Sequence, residues 1–167
     1  VGGYTWPSPG IRQSTESYDG TTWSDLSNIF NTARYQNIGG GGTQTAGINA
    51  GGYATAVTAV TETWDGTSWT EVADMNTARG NYNSATSGTQ SDFSVFGGDT
   101  GSVTGATELW NGTSWTEIAD MATARSNSAG GGTTGSAVTA TGQAGSGSIA
   151  NTEEFTAGTA VKTFTAT

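Results

Sequence analysis

Apolar and polar side chains mix over short stretches of this chain, and no stretch has the length or the period of a helix. Residues 61–64 and 68–72 are rich in Thr and Trp, whereas residues 93–96 read Phe-Ser-Val-Phe. Because β-branched and aromatic residues favour extended backbone, these three stretches predict strands. A weaker strand is predicted over residues 82–86.

Dipeptides of the Asp-Gly type separate the first two of these strands. They lie at Asp19-Gly20, Asp65-Gly66 and Asn111-Gly112. Such dipeptides favour tight hairpins, because a type I′ turn needs a positive φ at both of its central residues. Each of them therefore predicts a hairpin turn between two antiparallel strands.

The same landmarks return along the chain at a nearly constant interval. The segment that begins at Thr61-Glu62 returns 46 residues later at Thr107-Glu108; an earlier copy begins at Thr15, and a shorter last copy begins at Thr152. A period of roughly 20–50 residues is typical of repeat architectures. Alanine-arginine pairs and glycine steps keep the same interval; they lie at Ala33-Arg34, Ala78-Arg79, Ala124-Arg125, Gly51-Gly52, Gly97-Gly98 and Gly142-Gln143.

The order of landmarks within one unit resembles kelch repeats. An apolar strand ends in a glycine pair, and a glutamate, two tryptophans, a methionine and an arginine follow; in the best copy these are Gly97-Gly98, Glu108, Trp110, Trp115, Met121 and Arg125. The resemblance covers about residues 1–165. It implies an all-β fold of kelch-type β-propeller blades, each a four-stranded antiparallel unit of about 46 residues.

We expect a single repeat domain over residues 1–167. Its predicted parts are a partial blade start with an insertion at 1–14, repeat 1 at 15–60, repeat 2 at 61–106, repeat 3 at 107–151 and a terminal partial blade at 152–167. Because propellers generally have about 4–8 blades, we expect part of a larger or oligomeric propeller. Since Val1 falls within a blade, we favour a fragment that ends near the true C-terminus. A compact four-bladed ring is the alternative.

The composition narrows the classes of partner. The net charge is −9, and the five basic residues are scattered, whereas nucleic-acid binding needs a basic footprint. No apolar run approaches the roughly 20 residues of a membrane span. We therefore expect neither nucleic-acid binding nor membrane insertion.

The chain contains no Cys and no His, which excludes a Ser-His-Asp site and thiolate metal sites. We predict no catalytic residue, cofactor or metal site, and no enzyme activity. Glutamates and arginines recur once per unit, so we predict buried structural pairs between them, and packing between units for the recurring aromatics. The residues concerned are Glu16, Glu62, Glu108, Glu153, Arg34, Arg79 and Arg125.

Trp6 and Asp99 are the candidate surface contacts. Trp6 lies in the only insertion, beside Pro7 and Pro9, and Asp99 begins a variable loop. Loops on a rigid scaffold often carry function. The variable loops are small and polar, and we predict them at 43–47, 87–91 and 131–136 on one face and at 52–58, 99–105 and 144–148 on the other.

A second resemblance is narrower. Runs such as Thr-Glu-Leu-Trp-Asn-Gly-Thr-Ser-Trp-Thr-Glu at 107–117, with Gly/Thr-rich spacers, are similar to kelch-like arrays in structural proteins of tailed marine phages. This implies a non-enzymatic structural or adhesion module at the virion surface, in a tail fibre, spike or capsid-surface appendage. The implied partners are other virion proteins or copies of the chain, and a host surface polysaccharide or protein. The alternatives are an extracellular or scaffold kelch module that binds protein and, more remotely, a glycan-cleaving propeller.

Overall fold

A computed structural model describes residues 3–5, 10–27, 29–37, 39–80, 85–156 and 162–164. Over these residues the chain forms strands and turns and no helix, so the predicted all-β class is confirmed. The strands are β1 (Gly3–Thr5), β2 (Gly10–Arg12), β3 (Thr15–Tyr18), β4 (Trp23–Leu26), β5 (Gly39–Thr43), β6 (Ala46–Ala50), β7 (Thr61–Trp64), β8 (Trp69–Glu71), β9 (Ala85–Thr89), β10 (Asp92–Asp99), β11 (Val103–Trp110), β12 (Trp115–Ile118), β13 (Ala129–Thr133), β14 (Ser136–Ala140), β15 (Gln143–Ala144), β16 (Gly147–Ser148), β17 (Thr152–Thr156) and β18 (Lys162–Phe164).

Three four-stranded antiparallel sheets share one design. Their strand orders are β5-β6-β7-β8, β9-β10-β11-β12 and β13-β14-β17-β18. We call them the first, second and third sheets. The strands pair otherwise as two-stranded hairpins, β1–β2, β3–β4 and β15–β16. Each large sheet begins in the second half of a predicted repeat, so the first sheet, over residues 39–71, crosses the boundary predicted between residues 60 and 61.

The predicted strands are found with shifted ends. β10 contains the predicted stretch 93–96 and is longer at both ends, whereas β9 begins at Ala85 and continues beyond the predicted end at residue 86. Residues 81–84 lie outside the described part of the chain. At the end of the chain, β18 pairs with β17 as the outermost strand of the third sheet.

Paired tryptophans close the outer hairpin of the first two sheets. Trp64 lies opposite Trp69, and Trp110 lies opposite Trp115, with 5.5 Å between ring centroids in both pairs. Cross-strand aromatic pairs of this kind stabilise antiparallel strands. Trp110 and Trp115 also join the main hydrophobic cluster, together with Ile48, Ala50, Met75, Phe93 and Val95.

β5, the first strand of the first sheet, is rich in glycine where it meets the second sheet at close range. The first strands of neighbouring sheets contact each other, β5 against β9 and β9 against β13. A Cβ atom at Gly41 would lie only 2.7 Å from the ring of Phe93 in the second sheet. The glycines of β5 therefore make room for the side chains of the next sheet.

The prediction of type I′ turns is wrong. The loop between β7 and β8 has four residues, 65–68, and Gly66 has a positive φ while Asp65 does not. Instead, Oδ1 of Asp65 accepts hydrogen bonds from the backbone N–H groups of Thr67 and Ser68, both at 2.7 Å. This Asx arrangement returns at Asp19 and Asn111.

The third glycine step also lies one position earlier than predicted. Thr141 and Gly142 follow β14 and have φ values of 58° and 113°, close to the 69° and 111° of Gly97 and Gly98 near the end of β10, so the step is not Gly142-Gln143. Thr141 consequently has a φ of 58°, in the left-handed region that disfavours β-branched residues. The sequence alignment missed it because threonine gives no signal for that backbone conformation.

Candidate functional site: arginine clamps and the loops they support

The recurring glutamates and arginines form buried clamps at the entrance to each large sheet. In the first sheet, Oε1 of Glu62 accepts a hydrogen bond from Nη1 of Arg34 at 2.5 Å. Oε2 of Glu62 accepts bonds from the backbone N–H and the side-chain Nδ2 of Asn31, at 2.8 and 3.0 Å. Both charged side chains are fully buried, so the predicted pairing is confirmed for this unit.

The clamp is repeated in the second and third sheets. Arg79 donates to Glu108, and Arg125 donates to Glu153, and all four side chains are buried. Glu108 also accepts from Nδ2 of Asn76 at 2.9 Å, whereas Ala122 occupies that position in the third clamp and offers Glu153 only its backbone N–H. Glu153 therefore accepts one hydrogen bond fewer than Glu108 does.

Each clamp joins the segment that enters a sheet to the third strand of that sheet. Arg79 precedes β9, and Glu108 lies on β11; Nη1 of Arg79 also donates to the backbone carbonyls of Ala106 and Gly97. Burial lowers the pKa of the Arg34 and Arg79 guanidinium groups, and the facing carboxylates oppose that shift. Because arginine stays charged in proteins, the clamps are ion pairs.

Side chains at the sheet ends connect one unit to the previous one. The indole Nε1 of Trp115 donates to the Thr61 hydroxyl of the first sheet at 3.1 Å, and Trp69 does the same to Thr15 on β3 at 2.9 Å. Nε2 of Gln90 donates to the backbone carbonyl of Trp64 at 2.6 Å. Trp69 and Trp115 therefore serve inter-unit contacts, as predicted for the recurring aromatics, whereas Trp23 is 68% exposed.

The β5–β6, β9–β10 and β13–β14 turns lie at the same end of the sheets as the Asx turns. Gly66 lies against Thr45, and Gly112 lies against Ser91. Tight two-residue turns occupy the centre of each of the three loops predicted for this face, at 44–45, 90–91 and 134–135. This end of the sheets is therefore built of tight turns.

A groove of about 450 Å³ opens at this end, between the second and third sheets. Asp92 and Thr116 are exposed at its wall, and Trp110 contributes to its floor. The complete lining is Asp92, Leu109, Trp110, Asn111, Thr116, Thr134 and Gly135. Thr134 and Gly135 belong to the predicted variable loop 131–136, whereas the other lining residues join them only because two sheets pack together. We call this groove the turn-side groove.

Neither of the two predicted surface contacts is tested by the structure. Asp99 is only 8% exposed, and its Oδ1 accepts a hydrogen bond from the N–H of Gly101 at 2.7 Å, which holds its own loop. A contact of Asp99 with another molecule stays a prediction. Trp6 lies outside the described residues.

Within the described residues, no three acidic side chains come together in a way that could hold a metal ion. Neither does that part of the chain contain a helix that is long and apolar enough to cross a membrane. No protein family matches the chain, and a search of curated proteins finds no match either.

Proposed function

We propose that this chain is a non-enzymatic attachment module of a phage virion, built from kelch-type β-propeller blades. The proposal for the fold rests on three sheets of one design, on inner strands that contact one another, and on the landmarks of the repeat. The proposal for the virion rests on the similarity to kelch-like arrays of phage structural proteins. A tail fibre, a spike or a capsid-surface appendage would carry it.

Scaffold side chains and turn side chains have different roles, and this difference supports an attachment function. Residues that recur once per unit hold the scaffold together, because the glutamates and arginines form the clamps and the indoles donate hydrogen bonds to the preceding unit. The first turn of each large sheet differs between units, as Gln44-Thr45, Gln90-Ser91 and Thr134-Gly135. A rigid scaffold with variable turns is the usual arrangement of a recognition protein.

The single observation that carries the proposal is the turn-side groove. Its volume of about 450 Å³ lies within the range of roughly 300–1,000 Å³ found for ligand sites. The exposed Asp92 carboxylate accepts hydrogen bonds, and the Thr116 hydroxyl both donates and accepts. A ligand rich in hydroxyl groups, such as a host surface polysaccharide, matches this lining.

Binding to bacterial cells tests the proposal. Fluorescently labelled protein is incubated with a panel of bacteria, and the polysaccharide of each strain that binds is purified and titrated. We expect Asp92→Asn to weaken binding about tenfold, the effect of losing one hydrogen bond to a charged group. The matched control is Asp120→Asn, an exposed aspartate beyond β12, at the opposite end of the second sheet.

Two outcomes would count against the proposal. Equal affinity of the Asp92→Asn and Asp120→Asn proteins would remove the groove from recognition. Shortening of the purified polysaccharide by the protein would favour the glycan-cleaving alternative. Immunogold labelling of phage particles with an antibody against the chain tests the virion assignment separately.

A further inference from the structure

Glutamine side chains close the turn side of two junctions between successive units. Gln44 is the first residue of the β5–β6 turn, and its Nε2 donates to the backbone carbonyl of Tyr18 at 2.9 Å. Gln90 is the first residue of the β9–β10 turn, and its Nε2 donates to the backbone carbonyl of Trp64 at 2.6 Å. Tyr18 and Trp64 are equivalent, since each ends a strand directly before an Asx turn. A glutamine carboxamide therefore occupies the same place in both junctions.

The junction that holds the turn-side groove lacks this carboxamide. Thr134 is the first residue of the β13–β14 turn, and Trp110 ends β11 before its Asx turn. The threonine hydroxyl lies much closer to the backbone than a glutamine carboxamide does, and among the described residues no side chain donates to the carbonyl of Trp110. A carbonyl oxygen has two lone pairs, so it can accept a hydrogen bond in addition to any bond within the sheet. The groove therefore contains an acceptor whose two counterparts each receive an amide N–H.

Two more side chains distinguish this groove from the preceding junction. Leu109 is half-buried and stands where the first sheet has Thr63, and Asp92 is exposed and stands where the first sheet has Ala46. Both Leu109 and Asp92 line the groove. The groove therefore combines a carbonyl acceptor, an apolar side chain and a carboxylate, and the last two are absent from the equivalent positions of the first sheet.

We propose that the turn-side groove binds an acetamido group, as carried by an N-acetylated amino sugar. This inference rests on the proposed function, because it names the chemical group of the polysaccharide that the groove recognises. The acetamido N–H donates to the carbonyl of Trp110, in the place that a glutamine carboxamide takes in the other two junctions. Its methyl group packs against Leu109, and the carboxylate of Asp92 accepts hydrogen bonds from neighbouring sugar hydroxyls.

A neutral amide suits the groove better than a charged amine. Both glutamines place a neutral amide N–H on the equivalent carbonyls. An ammonium group could pair with the exposed Asp92, but it would have no apolar part to cover Leu109. The carboxylate of Asp92 keeps an amine as the competing ligand, so the experiment includes one.

Three tetrasaccharides with the same glycosidic linkage test the inference on the full chain by calorimetry. Their units are N-acetylglucosamine, glucose and glucosamine, so the tetrasaccharides differ only in the substituent at the second carbon of each sugar. We expect the N-acetylated tetramer to bind at least about tenfold more tightly than either of the others, because it adds an amide hydrogen bond and the burial of a methyl group. This comparison needs no variant of the protein.

Thr134→Gln is the most direct variant, because it gives this junction the glutamine that Gln44 and Gln90 supply in the others. We expect it to weaken binding of the N-acetylated tetramer at least about tenfold, while the midpoint of urea unfolding stays the same or rises. Thr55→Gln is the matched control. Thr55 is exposed in the segment between β6 and β7, at the opposite end of the first sheet, and its substitution should leave binding unchanged.

The acetamido inference is overturned if the glucose or glucosamine tetramer binds as tightly as the N-acetylated one, if none of the three binds, or if the Thr134→Gln protein keeps the parental affinity. The proposed function is tested separately by attachment to cells. Attachment that Asp92→Asn weakens, without any preference for the N-acetylated tetramer, would retain the groove as the attachment site and remove only the acetamido group from its ligand.

Discussion

Arg79 and Glu108 lie 29 residues apart in the sequence, and the guanidinium of the first donates to the carboxylate of the second with both side chains fully buried. The pair ties the segment that enters the second sheet to the third strand of that sheet. Equivalent pairs lie in the two neighbouring sheets, so this ion pair is a structural feature of the repeat unit.

Arg79→Met should lower the free energy of unfolding by about 3–5 kcal/mol, since it leaves the buried Glu108 carboxylate without its cation. The double variant Arg79→Met with Glu108→Gln should recover part of the loss, because the amide oxygen still accepts from the Asn76 N–H. Urea unfolding measures both. The control Asp92→Asn, at an exposed position, should change the value little; a stable Arg79→Met protein would refute the structural role.

Ala122→Asn should stabilise the chain by about 1 kcal/mol, because it restores to the third clamp the side-chain hydrogen bond that Asn76 makes to Glu108. The mirror substitution Asn76→Ala should cost a similar amount. Thermal and urea unfolding of the two variants provide the measurement. Changes of the same sign in both would show that the asparagine amide does not strengthen the clamp.

Thr141→Gly should raise the free energy of unfolding by about 1 kcal/mol, because it relieves a β-branched residue at a φ of 58°. Gly97→Ala at the equivalent position should destabilise the protein. A Cβ atom at this position would clash with the backbone carbonyl of Arg125, and the alanine would also have to adopt a positive φ. The urea midpoints of the two variants and the parent protein measure both effects. A Thr141→Gly protein that is less stable than the parent would contradict the predicted strain at Thr141.

Acid should weaken the Asx turns. Hydrogen bonds from the Ser68 and Thr67 N–H groups lower the pKa of Asp65 below its ordinary value of 3.8. A lowered folded-state pKa gives stability that is complete above the unfolded-state value and is lost as the pH falls through the folded-state pKa. This contribution therefore begins to fall near pH 4 and is lost as the pH drops through the lowered pKa of Asp65.

Asp65→Asn should remove that part of the acid dependence while it keeps the turn, because Asn111 makes the same two backbone contacts without a titrating group. Unfolding curves recorded at neutral pH and at several lower pH values test this expectation. Parallel acid profiles for the parent and the variant would exclude Asp65 as a source of the pH dependence.

The local sequence determined the class of the fold and the position of its landmarks. Short stretches with Thr, Trp and Phe specify strands. The recurrence of glutamate and arginine at fixed spacing predicts the pairs that Glu62, Glu108 and Glu153 form, whereas Glu16 is exposed. These features were readable because period and residue type are properties of the chain itself.

Only the tertiary structure decided where each sheet begins and ends within the repeat, and where a groove opens between two sheets. The position of the sheets within the repeat depends on which strands of neighbouring units contact each other. The left-handed φ of Thr141 likewise depends on the place of that residue in the folded sheet. The turn-side groove arises from contacts between two sheets whose residues are distant in sequence. The linear sequence encodes residue identity and spacing, whereas such contacts depend on packing in three dimensions.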